Sequence, residues 1–490
     1  MSRSRTKIIA TLGPATDDGE VLIRLIEAGV DVLRINLSHG SHEEQLARAS
    51  QVREAAAQTG REVGLLADLK GPKIRIESFA ESPVQLESGA PFVLDASEEQ
   101  TPGDTSRVNV SYTGLPGDVS PGQVLLLDDG LISMEVTEVR GAEVHCRVIN
   151  GGALGNRKGL NLKGGGLSVP GLSNEDIGDI SHAIAMGIDF LAVSFPRNAS
   201  DMHRARKLLR EGGSEAVLFA KIERVEAIAN LEEIIDASDA VMVARGDLGV
   251  EIGDAELPGL QKRIISTALR QNRVAITATQ MMQSMVEHPI PTRAEVLDVA
   301  NAVIDGTDAV MLSGETAVGK HPVKVVEAMQ DICLGAERHC AELDVKQTLN
   351  VRFQRIDQAI AMAAMFTAAN VSVQAIVALT ESGSTARWLS RVSTSVPIYA
   401  LSPNPGSRRR MAVFRNVFPF DHKSTPGVSS AEITSEAIMH LFNAGLLKTG
   451  DRVIFTMGEQ MGSQGGTNMM KIIQVGGDGG SEHQADLNYE

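Results

Sequence analysis

Cysteine and aromatic side chains are scarce in this chain of 490 residues, and cations are outnumbered. Three cysteines, Cys146, Cys333 and Cys340, with no CxxC spacing, exclude a disulfide-stapled scaffold and read as reduced thiols of a cytoplasmic protein. Aromatics make up 3%, with Trp388 the single tryptophan, so a stacking platform for single-stranded nucleic acid is missing. Lys and Arg number 46 against 62 Asp and Glu, a formal net charge of -16 that argues against nucleic acid or an anionic membrane as partner. Small phosphorylated ligands stay admissible, because they need only a local cluster of cations and backbone amides. No apolar run reaches the roughly 18 residues of a membrane span, and the basic N-terminus runs into a strand without a signal-peptide core.

What the chain does have is a repeated pattern. Short apolar runs end, at their C-terminal edge, in polar or charged residues: Thr11; Arg34, Asn36 and Ser38; Asp68 and Lys70; Ser194; Lys221 and Glu223; Arg245 and Asp247; Thr279; Ser313 and Glu315. These eight runs, mostly about 30 residues apart and separated by helical patterns, predict a closed (β/α)8 TIM barrel with its chemistry at the C-terminal ends of the strands.

The spacing breaks once, between Asp68 and Ser194. There the pattern becomes short alternating strands (VQLESGAPFVL, QVLLLDDG, ISMEVTEV, AEVHCRVI) bounded by Gly71-Pro72 and by Gly164-Gly165-Gly166. This predicts an inserted β-barrel lid over 72–169, with the catalytic barrel on 1–71 and 170–340. After a connector at 341–352, a helix near Ile356–Ala369 and strands AIVALT, PIYALS and RVIFTM predict an open α/β domain over 341–476. Residues 477–490 read as a disordered tail.

Glu223 and Asp247 lie on neighbouring strands at the active edge. Two carboxylates with room for water and substrate oxygens suit Mg²⁺, although a solvated charge run would look the same. Lys221 shares a strand face with Glu223 and can neutralise charge on a substrate oxygen, or form a salt bridge only. Arg34 can grip a phosphate bidentately. Asn36 and Ser38 offer oxygens to a monovalent cation or a ribose, but Ser38 equally fits a helix N-cap, and His39 alone is more often structural. Gly314 to Lys320 has the glycine and lysine spacing of a P-loop, yet His321 stands where a hydroxyl must bind Mg²⁺, so the match is rejected.

The stretches KIIATLGPAT, DVLRINLSHG, DLKGPKIR, GLNLKGG, AVSFPRNASD, AKIERVEA, VMVARGDLGVE, TATQMMQSM, PTRAEVLDVANAV and DGTDAVMLSGETA resemble the pyruvate kinase family throughout the chain apart from the tail. The resemblance implies phosphoryl transfer from phosphoenolpyruvate to ADP, giving ATP and enolpyruvate, which is then protonated. It implies that Glu223 and Asp247 hold Mg²⁺ or Mn²⁺, that Lys221 stabilises the transition state and enolate, and that Arg34 holds the phosphate. Gly246 and Asp247 amides would receive the substrate carboxylate, and Thr279 would lie on the path of the final proton. Asn36, His39, Arg75 and Lys158 match nucleotide-side positions, Lys158 from the lid. A homotetramer is also implied.

One departure bears on cofactors. Potassium-dependent members carry Glu where this chain has Lys73, and their K⁺ ligands correspond to Asn36, Ser38, Asp68 and the Leu69 carbonyl. A fixed ammonium can stand in for K⁺, so the expectation is that K⁺ is not required and that Lys73 fills a pocket beside Asp68. Further on, Thr380, Ser382, Gly383, Ser384 and Thr385 form a turn suited to an effector phosphate, or an ordinary capped turn. Glu381 replaces a family lysine there, which favours a sugar monophosphate or AMP over a bisphosphate. Two other readings stay open: a metal-dependent phosphoenolpyruvate mutase or citramalate-type lyase, and an inactive metabolite sensor.

Overall fold

The computed structural model describes residues 3–99, 101–339, 353, 355–423, 428–458 and 466–476. The expected connector 341–352, the tail 477–490 and Cys340 lie outside these residues. Two compact units divide the chain, one up to residue 340 with 412–415, the other made of the remainder.

In the first unit eight parallel strands close a ring: Lys7–Thr11, Val32–Asn36, Gly64–Asp68, Phe190–Val193, Val217–Ile222, Ala240–Ala244, Val274–Ala278 and Ala309–Leu312. Each expected run is a strand. The strands are apolar almost without interruption because both faces are buried. In the first strand, Ile9 packs inside the ring, with Val32, Leu66, Phe190, Phe219, Met242, Ile276 and Met311. Its neighbours Ile8 and Ala10 face outward, in the layer that joins the strands to the helices.

The N-terminal rim carries a fourfold device. Asp31, Asp189, Asp239 and Asp308 each stand one residue before an even-numbered strand. Their carboxylates accept the backbone N–H of Ile8, Leu65, Leu218 and Ala275, the second residues of the odd-numbered strands, at 2.9–3.0 Å. The same four aspartates donate their own N–H back to those residues' carbonyls at 2.8–3.0 Å. Arginines complete three of them: Arg61 on Asp31, Arg53 on Asp189 and Arg206 on Asp239.

The insertion has its own apolar core, around Phe92, Leu125, Met134 and Val144. Its strands pair as a six-stranded sheet and a separate two-stranded one, not as the closed β-barrel expected for the lid. The run from Val84 to Leu94 divides into Val84–Leu86 and Pro91–Asp95 around a turn at Gly89. Arg107–Asn109, Gly152–Leu154 and Leu160–Leu162 are strands that alternation did not reveal, being three residues each.

The second unit is an open five-stranded sheet. Val417–Asp421, Ile398–Ser402, Ala375–Leu379 and Arg452–Gly458 lie parallel in that order, and Thr467–Gln474 closes the edge antiparallel. Helices Ile356–Asn370 and Ser430–Asn443 belong to the same unit. Among the described residues no helix is long and apolar enough to cross a membrane. Cys146 and Cys333 are buried thiols, and burial pushes Cys146 up to about 12.

Candidate active site

Counting by twos from the inner core layer reaches the mouth of the ring. Ile9 leads to Thr11, Val32 to Arg34 and Asn36, Leu66 to Asp68, Ala192 to Ser194, and Phe219 to Lys221. The strand period therefore turns these polar tips inward together.

They form one network. Arg34 donates from Nε and Nη2 to Asp68 Oδ2 at 2.7 Å, and from Nη1 to Thr11 Oγ1 at 2.9 Å. Lys221 Nζ lies 2.8 Å from Ser194 Oγ, 3.0 Å from Glu223 Oε1 and 3.3 Å from Asp68 Oδ1. Ser194 in turn donates to the Leu69 carbonyl at 2.7 Å, and Glu223 Oε2 accepts the Phe195 N–H at 2.9 Å.

Electrostatics separate the two buried carboxylates. Burial alone would raise Asp68, but Lys221 and Arg34 outweigh it and hold Asp68 below the usual carboxylate range. Burial would likewise lower Lys221, yet Asp68 and Glu223 raise it and keep it charged. Glu223 must share that ammonium. Desolvation, partly offset by Lys221 and reinforced by Asp247 and Asp68, pushes it up to about 7. It is the acid short of positive charge.

Strain marks the same rim. Phe195, Thr279 and Gln280 take φ of 55°, 67° and 53°, the left-handed region that a β-branched residue avoids. Arg245 fixes this corner, donating to the carbonyls of Ala278 and Thr279 at 3.2 and 2.7 Å and pairing with Asp298 at 2.7 Å. Thr279 Oγ1 accepts the Gly246 N–H at 2.9 Å, so that amide, expected to receive a substrate carboxylate, is engaged within the protein. A Cβ at Gly246 would meet nothing nearer than Thr279 Oγ1 at 3.8 Å, which leaves this side of helix Arg245–Ile252 open to a ligand.

The donor chemistry fits a divalent ion of the Mg²⁺ type. Glu223 and Asp247 are close enough for their charges to interact. Among the described residues no group of three or more His, Cys, Asp or Glu could form a protein cage. Mg²⁺ commonly uses one or two carboxylates and fills its shell with water and substrate oxygens.

Lys73 is not where the sequence put it. Its ammonium is 2.6 Å from Asp247 Oδ1 and does not pair with Asp68, whose charge Arg34 and Lys221 already compensate. Other members of the expected monovalent-cation pocket are engaged within the protein: Asn36 Oδ1 accepts the Ser38 N–H at 3.1 Å, and the Leu69 carbonyl accepts from Ser194, which lies outside that set. Gly71, at the first lid junction, has φ of 70°, and a Cβ there would come within 2.6 Å of Ser194 Cβ. Only glycine lets the chain turn away from the ring this tightly.

The residues expected on the nucleotide side fall into two groups. Asn36 and His39 contact each other at the second strand's tip, 3.2 Å apart. Arg75 and Lys158 lie in the inserted segment, where Arg75 bridges to Gly159 and donates to the Arg157 carbonyl at 2.9 Å. Lys158 pairs with Asp128 at 2.8 Å. The rejected P-loop segment is helix Gly314–Ala317 followed by Lys320, which pairs with Glu287; Glu315 caps the N–H groups of Ser313 and Met282.

In the second unit, the hydroxyl-rich turn is partly self-satisfied. Thr380 Oγ1 accepts the Gly383 N–H at 3.0 Å and Thr385 meets Thr467 at 2.6 Å. Ser384 Oγ lies 3.4 Å from a carboxylate oxygen of Asp357, which Arg355 neutralises at 2.8 Å. Ser382 is part of the same turn, partly exposed.

Two contributors escaped assignment from the sequence: Thr11, which orients Arg34, and Ser194, which holds Lys221. Both were visible as inward-parity strand tips. Asp129 of the lid, 3.9 Å from Lys73, had no such signal.

Comparison with known proteins agrees with this geometry. The barrel domain of pyruvate kinase matches residues 3–326, and its alpha/beta domain matches residues 358–473. Pyruvate kinase II of Salmonella typhimurium is 50% identical over 476 residues, covering 96% of this chain and 98% of that protein. The pyruvate kinase of Buchnera aphidicola subsp. Acyrthosiphon pisum is 48% identical over 96% and 98% of the two chains. That of Geobacillus stearothermophilus is 42% identical over 96% of this chain and 80% of its own. With both domains matched, and with relatives this similar along nearly its whole length, the chain belongs to the pyruvate kinase family.

Proposed function

We propose that the enzyme transfers the phosphoryl group of phosphoenolpyruvate to ADP, giving ATP and pyruvate, at the mouth of the ring. The observation that carries this is Lys221: a buried ammonium held between Asp68 and Glu223, beside a second carboxylate at Asp247. Glu223 and Asp247 would hold Mg²⁺ or Mn²⁺, which would supply charge neutralisation on the substrate. Lys221 faces the transferring group and stabilises charge in the transition state and in the enolate left behind. Arg34, locked by Asp68 and Thr11, presents its guanidinium edge to the phosphate. Thr279 holds its hydroxyl in a strained but fixed position, where it relays the final proton. Arg75 and Lys158 bring cations from the lid to the nucleotide phosphates, and Asn36 and His39 meet it from the barrel. Lid closure excludes water and favours transfer over hydrolysis. The test is pyruvate formation with and without ADP. Strict dependence on ADP is expected; pyruvate formed equally well without it would favour the mutase or lyase reading.

The reading extends to cofactors and assembly. Lys73, in place of the glutamate of K⁺-dependent members, brings a cation to the ring mouth, which supports catalysis without K⁺. Activity in K⁺-free buffer tests this, and Lys73→Glu should create a K⁺ requirement. The turn Thr380–Thr385 is read as the site of a sugar monophosphate or AMP activator; activation that survives unchanged in Ser384→Glu would sink that assignment. The homotetramer implied by the family has exposed apolar surface available at Leu297 and Ile304, one heptad apart on helix Arg293–Ile304 and 70% and 59% exposed. Leu297→Lys should lower the sedimenting mass. Cytoplasmic placement is consistent with the unpaired thiols Cys146 and Cys333.

A further inference from the structure

The Lys73 ammonium stands between two carboxylates that belong to different parts of the first unit. Asp247 Oδ1, at the ring mouth, is 2.6 Å away, and Asp129 Oδ1, in the lid, is 3.9 Å away. The lid backbone lies against the lysine's stem: a Cβ on Gly159 would come within 2.9 Å of Lys73 Cε.

Asp129 is presented deliberately. Asp128, Asp129 and Gly130 take φ of 51°, 54° and 88°, a tight left-handed turn that points successive carboxylates in different directions. The turn is tied by Asp128 N–H to the Gly159 carbonyl at 3.2 Å and by Leu131 N–H to the Asp128 carbonyl at 3.1 Å. Asp128 is committed to Lys158 at 2.8 Å and is 16% exposed. Asp129 is 75% exposed and faces Lys73. Two left-handed non-glycine residues in a row are costly, and a turn that keeps them has a reason to hold this carboxylate where it is.

We propose that Asp129 is a positioning residue for Lys73: it takes over the ammonium when a divalent ion claims Asp247, so that metal loading moves the lysine's ion pair from the ring mouth to the inserted segment. The inference rests on the reading of Glu223 and Asp247 as the divalent-ion site. An ammonium and a divalent cation compete for the same Asp247 oxygen, and the doubly charged ion wins while repelling its competitor. Asp129 is the nearest other anion to receive Lys73, and a shift of about 1 Å brings the pair to charge-assisted hydrogen-bond length. The lid turn would then be fastened to a lysine anchored at the lid's own root.

Mn²⁺ binding to the full-length, metal-stripped protein, without substrates and followed by the free-ion paramagnetic signal, tests the proposal. Lys73→Met should bind Mn²⁺ about tenfold more tightly, because the built-in competitor is gone. Asp129→Asn, an exposed change that leaves the fold intact, should weaken binding about threefold in the natural background and have no effect in Lys73→Met. Mn²⁺ should slow amide exchange over residues 127–131 in the natural protein and not in Lys73→Met. Unchanged or weaker Mn²⁺ binding by Lys73→Met overturns the proposal. So does an Asp129→Asn effect of equal size in both backgrounds, which would be a plain field effect. If Asp247→Asn leaves Mn²⁺ binding intact, the metal-site reading itself falls. If binding depends on Asp247 and the cycle is additive, only the coupling falls.

Discussion

The two ends of the ring use the same residue types for opposite purposes. At the N-terminal rim, Asp31, Asp189, Asp239 and Asp308 each accept a strand N–H and donate one back, and three carry an arginine. At the C-terminal mouth, Asp68, Glu223 and Asp247 divide Arg34, Lys221 and Lys73 among them, and Glu223 is left short. Carboxylates bonded to backbone hold a structure together. Those that depend on shared side-chain cations are poised to accept a ligand.

Four changes would break or sharpen this contrast. The largest effect is expected for Lys221→Met, which should lower turnover by about a thousandfold or more. Its melting temperature should stay within about 3 °C, because Arg34 still serves Asp68 and Glu223 can take up a proton. Steady-state kinetics and calorimetry measure both; collapse of the fold would mean that the mouth, too, is structural.

Next is Asp308→Ala, at the other end. It strands the buried Ala275 N–H and should cost about 2–3 kcal/mol in denaturant unfolding, while the folded variant keeps its turnover. Loss of turnover in the folded fraction would erase the distinction between the rims.

Glu223→Gln should do the reverse of Asp308→Ala and stabilise the protein. The Glu223 pKa, about 7, is raised above the ordinary 4.5, so the folded state favours its protonated form. Its contribution is complete at pH 4 and is lost as pH rises through 7. With chelator present, the variant should therefore gain about 1–2 kcal/mol over the natural protein at pH 8 and little at pH 5. An equal difference at both pH values would contradict this, and activity should be lost in either case. The smallest effect is expected for Lys320→Ala, whose ion pair with Glu287 is exposed on both sides. Stability should move by less than about 0.5 kcal/mol and turnover not at all. A large loss of turnover would revive the P-loop reading of Gly314 to Lys320.

The ring and most of its mouth were legible in the sequence because two signals coincide there: strands buried on both faces are continuously apolar, and they stop at a polar tip. The fourfold aspartate was legible too, since Val30-Asp31, Ile188-Asp189, Ser238-Asp239 and Thr307-Asp308 repeat at equivalent places, but it calls for comparing strand beginnings instead of ends. Less could be read where elements are short or lie at an edge. Val417–Asp421 contains Pro419, which argues against a central strand; it is in fact an edge strand. Thr467–Gln474, at the opposite edge, lacks clean alternation. The partner of Lys73 was not legible at all. Whether its ammonium meets Asp68 or Asp247 depends on how the chain turns at Gly71, and no local pattern encodes that.

The reciprocal bonds of Asp189 have a consequence for chain architecture. They join the third and fourth strands at the rim opposite the insertion, with Leu65 held at both its N–H and its carbonyl. Register between these two neighbours is thus set at the far side, whatever the length of the connection between them. A joint fastened there lets evolution lengthen, exchange or delete the intervening segment without renegotiating the ring. That is how an insertion can be spliced into a barrel whose other connections are each at most about a quarter as long.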